Sequence, residues 1–534
     1  MKRVFLQNNG GFKWYSSQDC FVKGYILDTK GELYLGDRLI DYFKEIDSFV
    51  DFEERVKYAS GAFSVIIKKE EELFVSVDSI RSFPLFFIRT QGNWMISDNP
   101  YYLAEFGQFK EANNIAFKEF LAAGYVTGNE TLIEGIRQVQ AGEFIRFKTE
   151  DYVSKYFYSY RVPRVVDDEY ADLRKAAKEV IEDAFGRFVK SLDGRTVVIP
   201  LSGGFDSRLI AVMLKYFKYE NVICFTYGRK TSPEVSISKK VAERLGFKWY
   251  YIEYTDTLIK DFVNEKVFKD YYKAGSNLAS MFYLQEYFAV KFLKDNSLIP
   301  EDSIFAPGHS GDFLAGSQLN KHGNLSIHES TSKLVERIYN IKYCFVKPDR
   351  KNAGHLRERI RKSLKEKFSR EADFAYSIQE DWDFKEKLAK FNFNSNSTYT
   401  YFGYEFRIPF WDRELVDFFK FLPLSAKLNK YLYDELLRSE YFKNYNINFK
   451  KELQPKEKEI RKLKFKTMIK KFLPESIKIL FHSKKEGLCY YEITKILRDD
   501  LYKKDIKIKI HGNSYNSLII QWYLEKIKEE YLNN

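Results

Sequence analysis

The sequence predicts an α/β protein in two parts, a sheet-rich part over residues 1–160 and a part over 161–534 built on a parallel sheet. With 534 residues, the chain is too long for one ordinary domain. In the first part, short apolar runs alternate with turns, as in FVKGYILDTKGELYLG, which is typical of strands. In the second part, strand and helix patterns alternate, which favours parallel strands joined by helices.

Each strand of the first part is predicted from a short apolar run. Residues 62–67 and 73–77 predict a hairpin that turns at 68–72, and residues 84–88 predict a further strand. A charged helical pattern over 161–192 then links the two parts. The first part is therefore expected to consist mainly of sheet.

The second part is organised around residues 197–215, VVIPLSGGFDSRLIAVMLK. An apolar run predicts a buried strand, three small residues break it, and an apolar-periodic helix follows. Because Gly203 and Gly204 lack Cβ atoms, the loop backbone can approach a ligand closely. The N–H groups of the loop and of the first helical turn then point at an anion, for which phosphate is the expected choice.

The polar residues of this loop indicate a metal as well. Ser202 and Ser207 add hydroxyl donors for phosphate. Asp206 is badly placed for a bare phosphate, but it fits if Mg²⁺ lies between its carboxylate and the phosphate oxygens. The loop therefore implies a magnesium-bound nucleotide, and the alternative is a plain strand-to-helix turn that Asp206 caps.

Two further strands, over 221–227 and 248–254, flank a predicted helix over 234–245. Ligands of such sheets bind at the carboxyl ends of the strands. A short strand over 303–306 is followed by PGHSGDFLAGS at 307–317, where three glycines and one aspartate suit oxyanions and a metal. A plain glycine-rich turn is the alternative for this second loop.

Four ordered motifs in residues 165–500 resemble those of the asparagine synthetase family. Ser-Gly-Gly-Phe-Asp-Ser at 202–207 resembles the pyrophosphate loop of the ATP pyrophosphatases, and residues 307–317 resemble the family's second pyrophosphate loop. The segment YEFRIPFWDRELVDFF at 404–419 is similar to the family's Glu-x-Arg-x-Pro-Phe-x-Asp segment, and Lys485 falls in a stretch that resembles its late Lys-x-Gly turn.

The resemblance implies that the cofactors are ATP and Mg²⁺. Asp206 and Asp312 are the implied metal ligands, and the ends of the strands would hold the adenosine. The residues implied to contact the nucleotide are Leu201, Ser202, Gly203, Gly204, Asp206, Ser207, Phe225, Thr226, Tyr227, Gly308, Ser310 and Gly311.

Three residues are the candidates for catalysis. Glu405 could accept a proton from an incoming ammonium or amine, and an ion pair with Arg407 is the structural alternative. His309 stands where the asparagine-forming enzymes carry Glu, and a similar Gly-His-x-Gly-Asp occurs in lasso-peptide cyclases and some sugar-carboxamide synthetases. Its imidazole either exchanges a proton or makes a structural hydrogen bond. Lys485 could neutralise charge on pyrophosphate or on the tetrahedral oxyanion.

The first part resembles the class II glutamine amidotransferase domain of asparagine synthetases. The resemblance implies an αββα-type, Ntn or glutaminase-like sheet sandwich over 1–160. For 161–534 it implies a Rossmann-like ATP pyrophosphatase domain with a parallel sheet and a helical C-terminal extension. Class II glutaminases use the thiol of an N-terminal Cys together with its own amine. Lys2 stands there in this chain, and the internal Cys20 has no free amine. We therefore expect a scaffold that does not hydrolyse glutamine.

The implied reaction is ATP-dependent amide formation through an acyl adenylate. The nitrogen would come from free ammonia, a partner glutaminase or a substrate amine. The small-molecule carboxylate could be aspartate or, slightly favoured, a uronic acid sugar, and a peptide side chain as in lasso-peptide cyclisation is the alternative. Two alternative functions belong to other classes of protein. They are a nucleic-acid-modifying ATP pyrophosphatase and an inactive scaffold. A nucleic-acid partner is not expected.

Charge, hydropathy and cysteine content bear on the possible binding partners and on the cellular location. The net charge is +12, from 87 basic and 75 acidic residues. The basic segment 450–471 could bind an anionic partner, although its apolar spacing also suits a solvated helix with one packed side. No apolar run is long enough for a membrane span or a signal peptide, which predicts a cytoplasmic protein. The four cysteines form no C-x-x-C pair, which predicts free thiols.

Overall fold

Three sheets form the framework of the chain, two in its first part and one in its second. The computed structural model describes residues 3–8, 10–162, 170–319, 330–365, 374–449, 487–506, 508 and 514–532. None of the helices in these ranges is both long enough and apolar enough to cross a membrane. All four cysteines are free, and three of them are buried.

The first part contains two sheets of mostly antiparallel strands. One has the strand order β1-β8-β7-β9, and the other has the order β11-β10-β6-β5-β3-β2 with β4 beside β3. The strands are β1 (Arg3–Phe5), β2 (Trp14–Ser16), β3 (Cys20–Leu27), β4 (Leu33–Tyr34), β5 (Ser60–Lys68), β6 (Leu73–Val77), β7 (Phe86–Thr90), β8 (Asn93–Ser97), β9 (Arg137–Gln138), β10 (Glu143–Phe147) and β11 (Tyr152–Tyr156). The predicted hairpin is confirmed, because β5 and β6 pair antiparallel.

The alternation of side chains along β5 explains how these sheets pack. Ile66 belongs to a cluster with Phe87 and Ile96 of the other sheet. Its neighbours Val65 and Ile67 point the opposite way, into a cluster with helices α1 (Arg38–Tyr42) and α2 (Phe49–Tyr58). Helix α3 (Pro100–Gly107) contacts β7 and β8, which belong to the four-stranded sheet with the order β1-β8-β7-β9. Period-two burial thus places two sheets between outer helices.

The second part contains a parallel sheet with the order β14-β13-β12-β15-β16. Its strands are β12 (Val197–Pro200), β13 (Val222–Gly228), β14 (Lys248–Glu253), β15 (Ile304–Phe305) and β16 (Glu405–Phe406). The predicted strands at 197–201, 221–227, 248–254 and 303–306 are confirmed. Because β12 and β15 are parallel neighbours, the two glycine loops that follow them emerge at the same edge of the sheet.

Helices surround this sheet and extend the chain beyond it. They are α4 (Asn114–Ala123), α5 (Tyr170–Lys190), α6 (Phe205–Tyr216), α7 (Pro233–Leu245), α8 (Asp256–Ile259), α9 (Lys266–Ser276), α10 (Tyr287–Asp295), α11 (Gly311–Leu314), α12 (Thr331–Lys342), α13 (Arg350–Lys365), α14 (Ala375–Trp382), α15 (Ser397–Tyr401), α16 (Arg413–Phe421), α17 (Leu424–Lys427), α18 (Tyr431–Leu436), α19 (Tyr490–Tyr502) and α20 (Tyr515–Ile527). The predicted helix over 234–245 is α7. A π-helical segment, Asp383–Asn392, follows α14.

Candidate active site

The two glycine loops meet at the carboxyl edge of the parallel sheet. The first loop follows β12 and leads into α6, whose first turn contains Asp206. The second loop follows β15 and leads into α11, whose first turn contains Asp312. The backbone N–H of Asp312 donates to Oδ2 of Asp206 at 2.8 Å. The structure therefore brings together the two aspartates that were predicted from distant parts of the sequence.

Glycine is required at two positions where these loops touch. A Cβ atom on Gly308 would lie 2.7 Å from the backbone nitrogen of Ser207. One on Gly311 would lie 2.6 Å from the carboxyl carbon of Asp206. Both distances are too short for a side chain, so the close approach of the loops depends on these two glycines.

The electrostatics of the paired aspartates suit a cation. Oδ1 of Asp206 accepts a hydrogen bond from the hydroxyl of Tyr433 at 2.9 Å, and Oδ2 of Asp312 accepts one from Ser317 at 2.9 Å. Burial and, second, the nearby carboxylate of Asp312 raise the pKa of Asp206 to about 7. A raised pKa means that negative charge here is poorly compensated, and a divalent cation held by both carboxylates would compensate it.

A cavity of about 630 Å³ opens beside the aspartates. The predicted residues that line it are Leu201, Ser202, Gly204, Asp206, Ser207, Phe225, Thr226, Tyr227, Gly308, His309 and Asp312. Gly203, Ser310 and Gly311 belong to the same two loops but not to the lining. The hydroxyl of Ser310 is buried and has no hydrogen-bond partner among the described residues.

Three charged residues of the cavity wall were missed by the sequence analysis. Nζ of Lys430 lies 3.2 Å from Oδ1 of Asp434, and Nη2 of Arg438 lies 3.8 Å from Oδ2 of the same carboxylate. Their spacing of four residues is the signal that could have found them, because it places charges on one helical face. Two cations and one anion leave a net positive charge beside the loops, which suits phosphate.

A second group consists of Glu286 and the tyrosines around it, of which the sequence analysis named only Tyr227. Glu286 lines the cavity and is only 5% exposed. The hydroxyl of Tyr399 donates to its Oε2 at 2.5 Å, and Tyr227 and Tyr283 line the same wall. No local sequence signal identifies this group, because its members come from three distant segments.

His309 lines the cavity as a neutral ring. Burial lowers its pKa to about 4, so it carries no charge near neutral pH. Its Nε2 lies 2.9 Å from the hydroxyl of Ser395. These contacts match the structural hydrogen bond that was weighed against proton exchange.

Glu405 does not line the cavity. It is the first residue of β16 and pairs with Ile304, the first residue of β15, so it lies at the amino end of the parallel sheet. Its carboxylate lies 2.8 Å from Arg195 and 3.0 Å from Arg407. The structure thus places Glu405 in the ion pair that was its alternative role, and not in the substrate-facing role expected for it.

Lys485 and the basic segment 450–471 lie outside the described residues. The residues that follow Lys485 reach the site. Leu488 lines the cavity, and the carbonyl of Gly487 accepts a hydrogen bond from the backbone N–H of Arg229 at 2.7 Å.

Comparison with known proteins supports the resemblance found in the sequence. Residues 177–292 match the family model described as asparagine synthase. The microcin J25-processing protein McjC of Escherichia coli is 23% identical over 301 residues, which cover 53% of this chain and 53% of that protein. A putative glutamine-hydrolyzing asparagine synthetase of Mycobacterium bovis is 27% identical over 196 residues, which cover 35% of this chain and 29% of that protein.

The chain thus spans about half of the length of the first relative and less of the second. Among solved structures, the NH3-dependent NAD synthetase of Campylobacter jejuni aligns with 38% of this chain and 99% of its own, at 16% identity and a TM-score of 0.20. Residues 177–292 are therefore similar to the asparagine synthase domain, in agreement with the resemblance of the sequence motifs.

Proposed function

We propose that this protein is an ATP-dependent ligase that forms a carbon–nitrogen bond. It adenylates a substrate carboxylate, releases pyrophosphate, and transfers ammonia or an amine to the acyl group with release of AMP. The observation that carries this proposal is the contact between Asp206 and Asp312, which join two glycine loops at the carboxyl edge of a parallel sheet. This edge is where α/β proteins bind their ligands.

The phosphates of ATP fit between the two loops. Helix α6 starts at Phe205, and the N–H groups of its first turn have no acceptor within the helix. They face the same cavity as Lys430 and Arg438. Helix N-terminus and cations together would bind the triphosphate. The base and ribose are assigned to the wall formed by the ends of β12 and β13.

The paired carboxylates would hold Mg²⁺. The raised pKa of Asp206, caused by burial and by Asp312, fits a site built for a cation. When bound, Mg²⁺ would neutralise charge on the phosphates and favour attack at the α phosphate. Asp206 is held for this task by Tyr433 and by the backbone of Asp312.

One cavity serves both half-reactions. In the first, a carboxylate oxygen attacks the α phosphorus and pyrophosphate leaves. In the second, a nitrogen attacks the acyl carbon and AMP leaves. Holding the acyl adenylate and the amine side by side removes much of the entropic cost of a bimolecular step, about 7–11 kcal/mol at best. Product release then frees the loops for another ATP.

We further propose that the first part of the chain acts as a scaffold and that glutamine is not hydrolysed. Class II glutaminases use a cysteine thiol as nucleophile. Cys20, the one cysteine of residues 1–160, does not suit this task, because it is buried in β3 and burial raises the pKa of its thiol to about 12. Nitrogen would come from ammonia, a partner glutaminase or a substrate amine. Release of glutamate from glutamine by the isolated protein would refute this.

Aspartate and a uronic acid are the first candidates for the carboxylate. The similarity to the microcin J25-processing protein favours a second candidate function, a lasso-peptide-type cyclase that forms an isopeptide bond. The two functions differ in the nucleophile. The ligase uses a separate ammonia or amine, whereas the cyclase uses an amine of the same peptide and needs no added ammonia.

The test is a pyrophosphate-release assay with ATP, Mg²⁺ and ammonium chloride across amino acids, uronic acid nucleotides and peptides. We expect release with one class of carboxylate and loss of it in Asp206→Asn. The matched control is Asp295→Asn, which removes an exposed partner of Lys291 and should leave release unchanged. An Asp206→Asn variant with unaltered release would eliminate the proposed metal site. A peptide that loses one water without added ammonium would favour the cyclase.

A further inference from the structure

The cavity wall contains a carboxylate that no cation among the described residues compensates. Glu286 is 5% exposed and precedes α10. Its carboxylate accepts hydrogen bonds from the hydroxyls of Tyr399 and Tyr227. No basic side chain in the described ranges lowers the pKa of this carboxylate. A buried carboxylate with only neutral partners is costly in a protein that gains nothing from it. The arrangement therefore indicates a ligand that supplies N–H donors or positive charge.

The packing of its partners fixes Glu286 relative to the phosphate loops. The ring of Tyr399 stacks on Phe305 of β15 at 4.4 Å, with 17° between the planes. Tyr227 at the end of β13 stacks on Tyr254 at 5.3 Å. Strands β13 and β15 flank β12, whose loop contains Asp206. Glu286 is thus held from both neighbours of the strand that leads to the proposed ATP site.

The other carboxylates of the cavity have different partners. Asp206 and Asp312 contact each other, and Asp434 is paired with Lys430. Glu234 lies beside the first loop, where its Cγ is 3.6 Å from the Cβ position of Gly203. Asp206 also has one tyrosine partner, Tyr433, whereas both side-chain hydrogen bonds of Glu286 come from tyrosine hydroxyls.

We propose that Glu286 forms the subsite for the nitrogen nucleophile, ammonia or a primary amine, and that its carboxylate accepts a proton from that nitrogen. This inference rests on the proposed ligase function. The nitrogen lone pair attacks the acyl carbon, so that the C–N bond forms and the bond from carbon to the AMP oxygen breaks. AMP leaves with the bonding electron pair. The proton from nitrogen passes to Oε of Glu286, which becomes a neutral acid and returns the proton to water after the products leave.

The protonation behaviour of Glu286 suits this task. Burial raises its pKa to about 7, against 4.5 for an ordinary glutamate. A base whose pKa lies near the working pH is present in its charged form and still binds a proton well. Tyr399 keeps the accepting group oriented through its hydrogen bond. Glu286 can therefore act as a base without an adjacent histidine.

The test separates the two half-reactions in the full-length protein. Carboxylate-dependent exchange of labelled pyrophosphate into ATP reports adenylation, and hydroxylamine or ammonium chloride then reports nitrogen transfer. Glu286→Gln keeps the size of the side chain and an acceptor for Tyr399. We expect exchange within about twofold of the wild type and loss of hydroxamate and amide formation by about 10²-fold or more. The matched control is Glu253→Gln at the exposed end of β14, which should retain both.

The outcomes distinguish this inference from the function on which it rests. A Glu286→Gln variant that forms hydroxamate at the wild-type rate overturns the inference, as does equal loss of exchange and transfer. If no carboxylate in the panel supports pyrophosphate exchange by the wild type, the proposed function fails instead. In that event, calorimetric titration with ethylammonium chloride against sodium chloride decides the subsite. If the wild type binds ethylammonium and Glu286→Gln does not, the subsite is upheld. If both bind it equally, or neither binds it, the subsite is refuted.

Discussion

Replacing Gly311 by alanine tests whether the contact between the two loops is needed for ATP binding. The added Cβ would lie 2.6 Å from the carboxyl carbon of Asp206 and 2.8 Å from the hydroxyl of Tyr433, whereas ordinary contacts begin at 3.4 Å. Asp206 or α11 must therefore move by 3.4 − 2.6 = 0.8 Å. Overpacking of this kind costs about 1–3 kcal/mol. The group displaced is the proposed metal ligand.

We expect that cost to weaken the binding of magnesium ATP by about 5- to 150-fold, measured by calorimetric titration. Gly354→Ala is the matched control, because its Cβ position in α13 has no atom within 4 Å and alanine favours a helix by about 0.5–1 kcal/mol over glycine. The reasoning is refuted if Gly311→Ala binds magnesium ATP with wild-type affinity. It is also refuted if Gly354→Ala weakens binding to the same extent.

Three further predictions concern other parts of the molecule. Asp412→Ala should destabilise the fold by about 2–4 kcal/mol in urea titrations, because it removes the N-cap of α16 and the bidentate partner of Arg187. In the wild type, both hydrogen bonds from the Arg187 guanidinium to the Asp412 carboxylate are 2.7 Å long. A loss of stability below about 0.5 kcal/mol would contradict this prediction. His309→Asn should leave the pH profile of amide formation unchanged, because the ring is already neutral; a lost inflection near neutral pH would contradict this. Amide formation should rise with pH through about 7 as Glu286 loses its proton, and the inflection should vanish in Glu286→Gln. Because the folded protein binds this proton more tightly than the unfolded chain, Glu286 should also lower stability as pH rises from 4.5 to about 7.

Local patterns predicted the elements that hold the nucleotide loops. One stretch of sequence contains strand β12, the break at the glycines and helix α6 without a gap. The apolar run of the strand, the turn residues and the start of the helix are therefore all visible in it. The adjacency of β12 and β15 is different, since about a hundred residues separate them. The family resemblance implied only that Asp206 and Asp312 share a metal, and the pairing of Val197 with Ile304 shows how the fold brings their loops together.

The proposed amine subsite could not be predicted because it depends on tertiary packing. Glu286 lies in YLQEYFAVKFL, which has the pattern of an ordinary helix start. Its hydrogen-bonding tyrosines come from residues 227 and 399, and no periodicity connects three such distant segments. Glu405 shows the reverse problem. Its motif indicated a substrate-facing role, but a motif does not specify which end of the sheet a residue occupies, and the structure places Glu405 at the amino end.

The contacts of the Glu-x-Arg-x-Pro-Phe-x-Asp segment join the first part of the chain to the parallel sheet. The guanidinium of Arg407 is buried 4.1 Å from the ring of Tyr25 in β3, and the indole N–H of Trp411 donates to Ser79 at 3.1 Å.

The backbone of Arg407 also bonds to Phe305 of β15, the strand that leads into the second phosphate loop. The first part of the chain is therefore packed against the strand that positions Asp312. Substitutions at this junction should change stability and nucleotide affinity together, whereas those at Glu286 should change the transfer of nitrogen without changing adenylation.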